Sequence, residues 1–190
     1  MKLPIIAYGD SVLRKKGTEI TKDYPELNNL IENMFETMYG AHGVGLAAPQ
    51  IGLSIRLFVV DATSFAEDEP ALKDFKKAFI NAKIIEESGS KWSFNEGCLS
   101  IPDIREDIDR HESLTISYYD ENWKHYEETY KGLAARIIQH EYDHIEGKLF
   151  VDKLSPLRKA MLNNKLSSIS KGIVKVEYKM KFPALKKGRR

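Results

Sequence analysis

The chain has 190 residues, which is enough for one globular domain with its own hydrophobic core. Hydrophobic residues make up 42% and charged residues 30%, a balance that excludes an intrinsically disordered protein. The apolar runs are all too short to span a bilayer, and the N-terminus has neither a secretory nor a transit signal. Cys98 is the only cysteine, so an intrachain disulfide is excluded and we expect a reducing, cytoplasmic location.

The net charge of +1 hides an uneven distribution along the chain. Residues 171–190 carry eight basic side chains and one acidic side chain, a charge of +7, which leaves −6 on residues 1–170. The sequence therefore divides into a main domain over 1–170 and a basic C-terminal strand and tail over 171–190. Such a tail favours a polyanionic partner such as RNA, and it is equally compatible with a solubilising end.

The first predicted element is an amphipathic helix. Apolar residues recur with helical spacing from Leu27 to Met38, and Gly40 ends the pattern. A glycine-rich stretch, Gly43–Gly52, follows, and the β-branched run over 55–60 predicts a buried strand. Residues 62–74 are acidic and contain a proline, so we expect a loop there.

The second half of the chain predicts strands first and helices afterwards. We expect strands near 78–86, 91–94, 113–120 and 124–130, a turn at 120–122, helices over 133–146 and 156–168, and a strand over 173–178. Strands grouped in the middle, with helices near both ends, indicate an α+β fold. In this fold central antiparallel or mixed strands pack around a core helix that carries a His-Glu-x-x-His motif.

The motif His140-Glu141-Tyr142-Asp143-His144 lies on that helix. Histidines four residues apart lie on nearly one face, where both imidazoles can reach one metal ion. Leu133 and Ile137 extend the same stripe, so the histidines continue the core-facing side of the helix. This placement favours metal ligation over the alternative, a surface helix with scattered histidines.

A catalytic metal site needs a third protein ligand, for which Cys98 is the best candidate. It follows Gly97, directly after a predicted strand. Two alternatives remain open for this cysteine: a small buried hydrophobic side chain, and the nucleophile of a Cys-His hydrolase. The two coaligned histidines favour a metal ligand, because a general base needs only one histidine.

The stretch Gly43–Gly52 superficially resembles a dinucleotide-binding loop. A helix precedes it, whereas that motif requires a strand, so this interpretation is poor. Its small residues predict either exposed backbone that an extended peptide can approach, or a tightly packed turn.

Three segments of the chain together closely resemble the peptide deformylase family. They are Gly43–Gln50 (Gly-Φ-Gly-Φ-Ala-Ala-x-Gln, where Φ is apolar), Glu96–Ser100 (Glu-Gly-Cys-Φ-Ser) and His140–His144 (His-Glu-Φ-Asp-His). The segments occur in the family's order, with no departure at a fixed position. The resemblance covers about residues 3–165 and leaves the basic tail outside it.

The resemblance implies an enzyme that removes the N-formyl group from the initiator methionine of nascent polypeptides and releases formate. It further implies one ion per chain, typically Fe(II), held by Cys98, His140 and His144. A thiolate and two imidazoles also suit Zn(II), Ni(II) or Co(II), so the sequence does not fix the metal.

The family's functional roles can be carried over by motif. Glu141 is then the general base and later the general acid, while the Gln50 amide and the Leu99 backbone N–H donate to the oxyanion. Gly45 would hold the peptide as an added strand. The residues expected to line the methionine pocket are Val44, Phe94, Leu133 and Ile137. We also expect an internal ion pair between Glu96 and Arg110.

Two other function classes remain as alternatives. A zincin-type endopeptidase would share the helical motif but would cleave internal peptide bonds, and a noncatalytic metal-binding module would bind metal without turnover. For the tail, the resemblance suggests docking on the ribosome through sequence-independent attraction to RNA phosphate. The other hypothesis is an edge strand over 173–180 with only 184–190 disordered.

Overall fold

The computed structural model describes residues 1–183, so the end of the predicted basic tail, 184–190, lies outside the described residues. The helices and strands in this part of the chain are β1 (Ile5–Ile6), α1 (Leu27–Gly40), β2 (Gly45–Ala47), β3 (Leu57–Asp61), β4 (Lys76–Cys98), β5 (Ile101–Tyr119), β6 (His125–Lys131), α2 (Gly132–Ile145), α3 (Pro156–Ser170) and β7 (Met180–Lys181). Strands β2 to β6 form one antiparallel sheet in sequence order, and β1 pairs in parallel with β7. The predicted α+β fold is confirmed.

The sheet is covered on both faces, as the alternating side chains of its inner strand β3 show. In β3, Phe58 and Val60 belong to the cluster that includes buried residues of α2. Leu57 and Val59 point the other way, into the cluster that contains the apolar stripe of α1. The sheet therefore separates two cores, and α2 is enclosed against one face of it.

Strands β4 and β5 form one long hairpin joined by the two-residue turn Leu99–Ser100. The ladder begins at Ile80–Tyr119 and ends at Cys98–Ile101, with four register shifts on the way. Such bulges bend a strand pair, and they allow this hairpin to curve. Near the turn, its apolar side chains pack with α3 in a third cluster, in which Cys98 is partly buried.

The predicted helices are confirmed to within two residues at each end, and the run over 55–60 contains β3. Three strand predictions were wrong in extent. Strands predicted at 78–86 and 91–94 are parts of the single strand β4, and the strand predicted near 113–120 is the second half of β5. The strand predicted at 173–178 was wrong: those residues have no ladder partner, and pairing begins only at β7.

None of the helices within residues 1–183 is both long and apolar enough to cross a membrane.

Candidate active site

The hairpin turn and α2 bring three potential metal ligands together. Cys98 is the last residue of β4, and His140 and His144 lie one turn apart on α2, with ring centroids separated by 5.2 Å. The Cys98 Sγ lies 3.3 Å from the His144 Nε2, and the three ligand atoms all lie within 4.8 Å of one another. A thiolate and two imidazoles at this spacing fit a first-row transition metal ion.

His144 is almost completely buried. Burial favours the neutral ring and holds the pKa of His144 well below its usual range. Its Nδ1 has no hydrogen-bond partner among residues 1–183. A neutral imidazole with its other nitrogen 3.3 Å from a thiol sulfur is suited to metal ligation.

His140 is oriented by a buried carboxylate. Its Nδ1 lies 2.9 Å from the Glu96 Oε2. Although burial favours the neutral acid, hydrogen bonds from His140 and Arg110 outweigh it and hold the pKa of Glu96 far below its usual range. An ionised carboxylate can only accept, so Nδ1 must carry the proton and Nε2 is left for the ion.

Two arginines neutralise Glu96. Arg110 donates to both carboxylate oxygens, at 2.7 and 2.9 Å, and its remaining terminal nitrogen donates to the Asp143 Oδ2 at 2.7 Å. Arg136 donates to the Glu96 Oε1 at 2.7 Å and to two backbone carbonyl oxygens of the hairpin. The predicted pair of Glu96 and Arg110 is thus confirmed. The second arginine was not predicted, although a basic residue one turn before His140 on an otherwise apolar stripe was a signal for it.

Glu141 is buried beside the three ligands. Burial raises the pKa of Glu141 to about 7, although the positive charges of His140 and Arg110 favour the ionised carboxylate and act in the opposite direction. Its Oε2 has no hydrogen-bond partner in the part of the chain that the structure describes. The opposite wall is Gly45, where an added Cβ would lie only 2.7 Å from the Glu141 carboxyl carbon. Glycine is therefore needed at position 45 to leave room for this carboxylate.

The Gln50 side chain is held in one orientation. Its Oε1 accepts a hydrogen bond from the backbone N–H of Ala47 at 2.8 Å. Its Nε2 therefore points toward the hairpin turn, 3.4 Å from both the Cys98 Sγ and the Ser100 Oγ. A fixed amide donor beside the metal ligands can stabilise negative charge that develops on a substrate oxygen.

A cleft of about 620 Å³ opens beside these groups. Ten of the eleven predicted site residues line it, and His144 lies behind the cleft wall. The predicted methionine-pocket residues are among the ten. The sequence did not predict that Phe65, Arg136 and the C-terminal residues 175–178 also line it. The sequence of the C-terminal residues shows the alternation of polar and apolar side chains, but it contains no signal that places them against the cleft.

Comparisons with known proteins all find the same family. The family model described as polypeptide deformylase matches residues 2–160. The peptide deformylase of Christiangramia forsetii is 60% identical over 196 aligned positions, which cover all of both chains. That of Flavobacterium johnsoniae is 59% identical, again with complete coverage of both chains.

Solved structures show the same similarity. A peptide deformylase from Legionella pneumophila superimposes with a TM-score of 0.80 at 39% identity, covering 91% of this chain and 98% of that chain. One from Plasmodium falciparum gives a TM-score of 0.79 at 36% identity, covering 88% and 95% respectively.

Proposed function

Because the chain belongs to the peptide deformylase family and is a metal-dependent hydrolase, we propose that it removes the formyl group from the N-terminal methionine of nascent peptides at this site. The observation that supports the location best is the convergence of Cys98, His140 and His144 on one point beside Glu141. The substrates would be N-formylmethionyl chains, and the products formate and a free amino terminus.

The resident ion would be held by the Cys98 thiolate and the two imidazoles. We propose iron(II) from the family resemblance, while zinc, nickel and cobalt suit the same donors. When bound, the ion would polarise the formyl carbonyl and lower the pKa of a water molecule. Metal analysis of freshly purified protein, prepared without oxygen, identifies it.

Glu141 would move the proton. A carboxylate with a pKa of about 7 is present in both protonation states near neutral pH, so it can accept a proton and return it. Its Oε2, which has no partner among residues 1–183, would take the proton from the attacking water. The same oxygen would then deliver that proton to the methionine nitrogen as the C–N bond breaks.

Two groups would stabilise the negative charge on the formyl oxygen. The Gln50 Nε2 is fixed beside the site through the Ala47 contact, and the Leu99 backbone N–H lies in the hairpin turn next to Cys98. Donors held in place before the reaction stabilise a developing oxyanion without reorganisation.

The methionine side chain would occupy the apolar part of the cleft. Val44, Leu133 and Ile137 pack on the core beneath it, and Phe94 stands at the rim with 36% of its surface exposed. The peptide backbone would pair with the chain at Gly45, which has no side chain to block its approach.

The experiment is formate release from a formyl-Met peptide, measured with Glu141→Gln beside the wild-type enzyme. The amide keeps the shape but cannot accept a proton, so we expect bound metal to be retained and turnover to fall by about 10²–10⁴-fold. Glu127→Gln, an exposed residue on β6, is the matched control and should leave turnover unchanged. Cleavage of an internal peptide bond without formate release would instead support the zincin-type alternative.

The basic C-terminus carries a separate proposal. Residues 171–190, the segment that the sequence separates from the catalytic domain 1–170, have a charge of +7, which favours attraction to ribosomal RNA in the cytoplasm, where nascent chains emerge. Deletion of 184–190 should weaken co-sedimentation with ribosomes at low salt and leave turnover of a short formyl-Met peptide intact. Unchanged sedimentation would identify that segment as a solubilising end.

A further inference from the structure

The segment between α3 and β7, residues 171–179, crosses the molecule beside the cleft, and we call it the C-terminal strap. Its first end leaves α3 at Gly172, which has a φ of 75°. Its other end is fixed to β1, where the Ile5 N–H donates to the Lys179 carbonyl oxygen at 2.8 Å. The strap is therefore held at both ends although it belongs to no sheet.

A third attachment joins the strap to the hairpin turn Leu99–Ser100, which we call the catalytic turn. The Tyr178 hydroxyl donates a hydrogen bond to the Leu99 carbonyl oxygen at 2.9 Å. Burial raises the pKa of Tyr178 to about 12, so the hydroxyl keeps its proton throughout the neutral range. Because Leu99 lies next to Cys98, the strap has a fixed position relative to the reacting centre.

Exposed and half-buried side chains alternate along the strap. Val176 and Tyr178 are half-buried, whereas Lys175 and Glu177 are exposed, and all four line the same cleft as Cys98 and Glu141. The strap thus offers an apolar contact surface with one positive and one negative side chain at its edge. The backbone from Gly43 to Gly45 lines this cleft as well.

We propose that the C-terminal strap is a second wall of the substrate site, which contacts the peptide residues that follow methionine and senses their charge through Lys175. This inference rests on the proposed function. With the formyl group at the metal ligands, a peptide longer than the methionine must leave along the cleft. Gly45 and residues 175–178 line the same cleft, so the strap offers a surface to a peptide that pairs at Gly45.

The test compares charge reversal at two lysines of the strap. Lys175→Glu changes a residue that lines the cleft, and Lys179→Glu makes the same change at an exposed residue outside it. Both variants and the wild type are assayed for kcat/KM on formyl-Met-Ala, formyl-Met-Ala-Glu-Glu and formyl-Met-Ala-Lys-Lys. Both lysines lie at the surface, so neither variant should disturb folding.

We expect Lys175→Glu to lower kcat/KM for the glutamate peptide by about two- to fivefold and to raise it for the lysine peptide by a similar factor, as for an exposed ion pair. For Lys175→Glu, the fold-change in kcat/KM on formyl-Met-Ala should lie between those on the two charged peptides, and Lys179→Glu should change none of the three. Equal effects of the two reversals, or none from Lys175→Glu, would overturn the proposal while turnover of formyl-Met-Ala continues. Failure of the wild-type enzyme on formyl-Met-Ala would instead overturn the proposed function.

Discussion

Gly45→Ala is the most informative single substitution, because the three atoms nearest to the added methyl group all belong to the proposed general base. The new Cβ would lie 2.7 Å from the Glu141 carboxyl carbon, whereas ordinary contacts of a Cβ begin at 3.4 Å. The Glu141 Oε1 would lie closer still, so the carboxylate would have to retreat by more than about 0.7 Å or the strand would have to shift. A misplacement of about 1 Å in a catalytic group can lower the rate by about 10²-fold, and we expect kcat to fall by that order. The overpacking should also cost about 1–3 kcal/mol of unfolding free energy.

The assay is formate release with kcat and KM determined separately, together with the metal content of the same preparation. The metal should stay bound, because the three atoms nearest to the added methyl group all belong to Glu141, which is not one of the ligands. Gly40→Ala is the control: the three atoms nearest to its Cβ all belong to the flexible, exposed side chain of Lys2. A Gly45→Ala enzyme with unchanged kcat would refute the reasoning. A rise in KM alone would show that position 45 serves peptide pairing and not the placement of Glu141.

Three further outcomes are expected. Cys98→Ala should lose most of its metal, whereas Cys98→Asp should keep part of it through an oxygen ligand, as measured by the metal-to-protein ratio. Although partial burial favours the neutral acid, hydrogen bonds from Arg56 and Lys16 hold the pKa of Glu146 below its ordinary value of 4.5. The pair with Arg56 therefore stabilises the fold above about pH 4.5, and this contribution is lost as the pH falls through the lower folded-state value. Glu146→Gln should lower the free energy of unfolding by about 1–3 kcal/mol at pH 7, with a difference from wild type that shrinks below pH 4.5. Finally, acetyl-Met peptides should react at least about 100-fold more slowly than formyl-Met peptides, because steric exclusion near the metal adds to the limited discrimination of an apolar pocket against one methyl group.

The helices could be predicted because their signals are local. Helix α1 buries one continuous stripe, including Ile31, Met34 and Met38, and that spacing is visible without any knowledge of the partner surface. The metal ligands on α2 were equally predictable from the sequence, since helical geometry alone places His140 beside His144. Cys98 required more, because only the hairpin brings residue 98 to residue 144.

The full length of β4 could not be predicted because its middle lacks a strand pattern. The run Glu87-Ser88-Gly89-Ser90 has the composition of a turn, and Gly89 indeed has a φ of 77°. In the structure this run forms a bulge within β4, with a register shift between Ser88 and Lys91, and its pairing with β5 continues on both sides. A turn signal and a bulge signal are the same in sequence, and only the partner strand decides between them.

In the C-terminal strap a strand was predicted where the structure has none. Alternating exposure over residues 173–178 looked like a strand, and the alternation is real, but it arises from an extended segment that contacts the body with every second side chain. The Tyr178 hydroxyl, and not a backbone ladder, fixes this segment to the catalytic turn. Periodicity of two thus identifies an extended chain with one buried side, which need not be part of a sheet.

The charges around Glu96 are better explained by placement than by stability. Burying Glu96 with Arg110 and Arg136 removes three charges from water, and such a group often stabilises a fold no better than apolar residues would. Its geometry has a more specific effect: an ionised Glu96 forces the proton of His140 onto Nδ1 and leaves Nε2 to face Cys98 and His144. A neutral Glu96 could donate to that ring instead, and the ring could then carry its proton on the nitrogen that the ion requires. The two arginines hold Glu96 ionised, so residues outside the set of metal ligands determine which nitrogen is available at the metal centre.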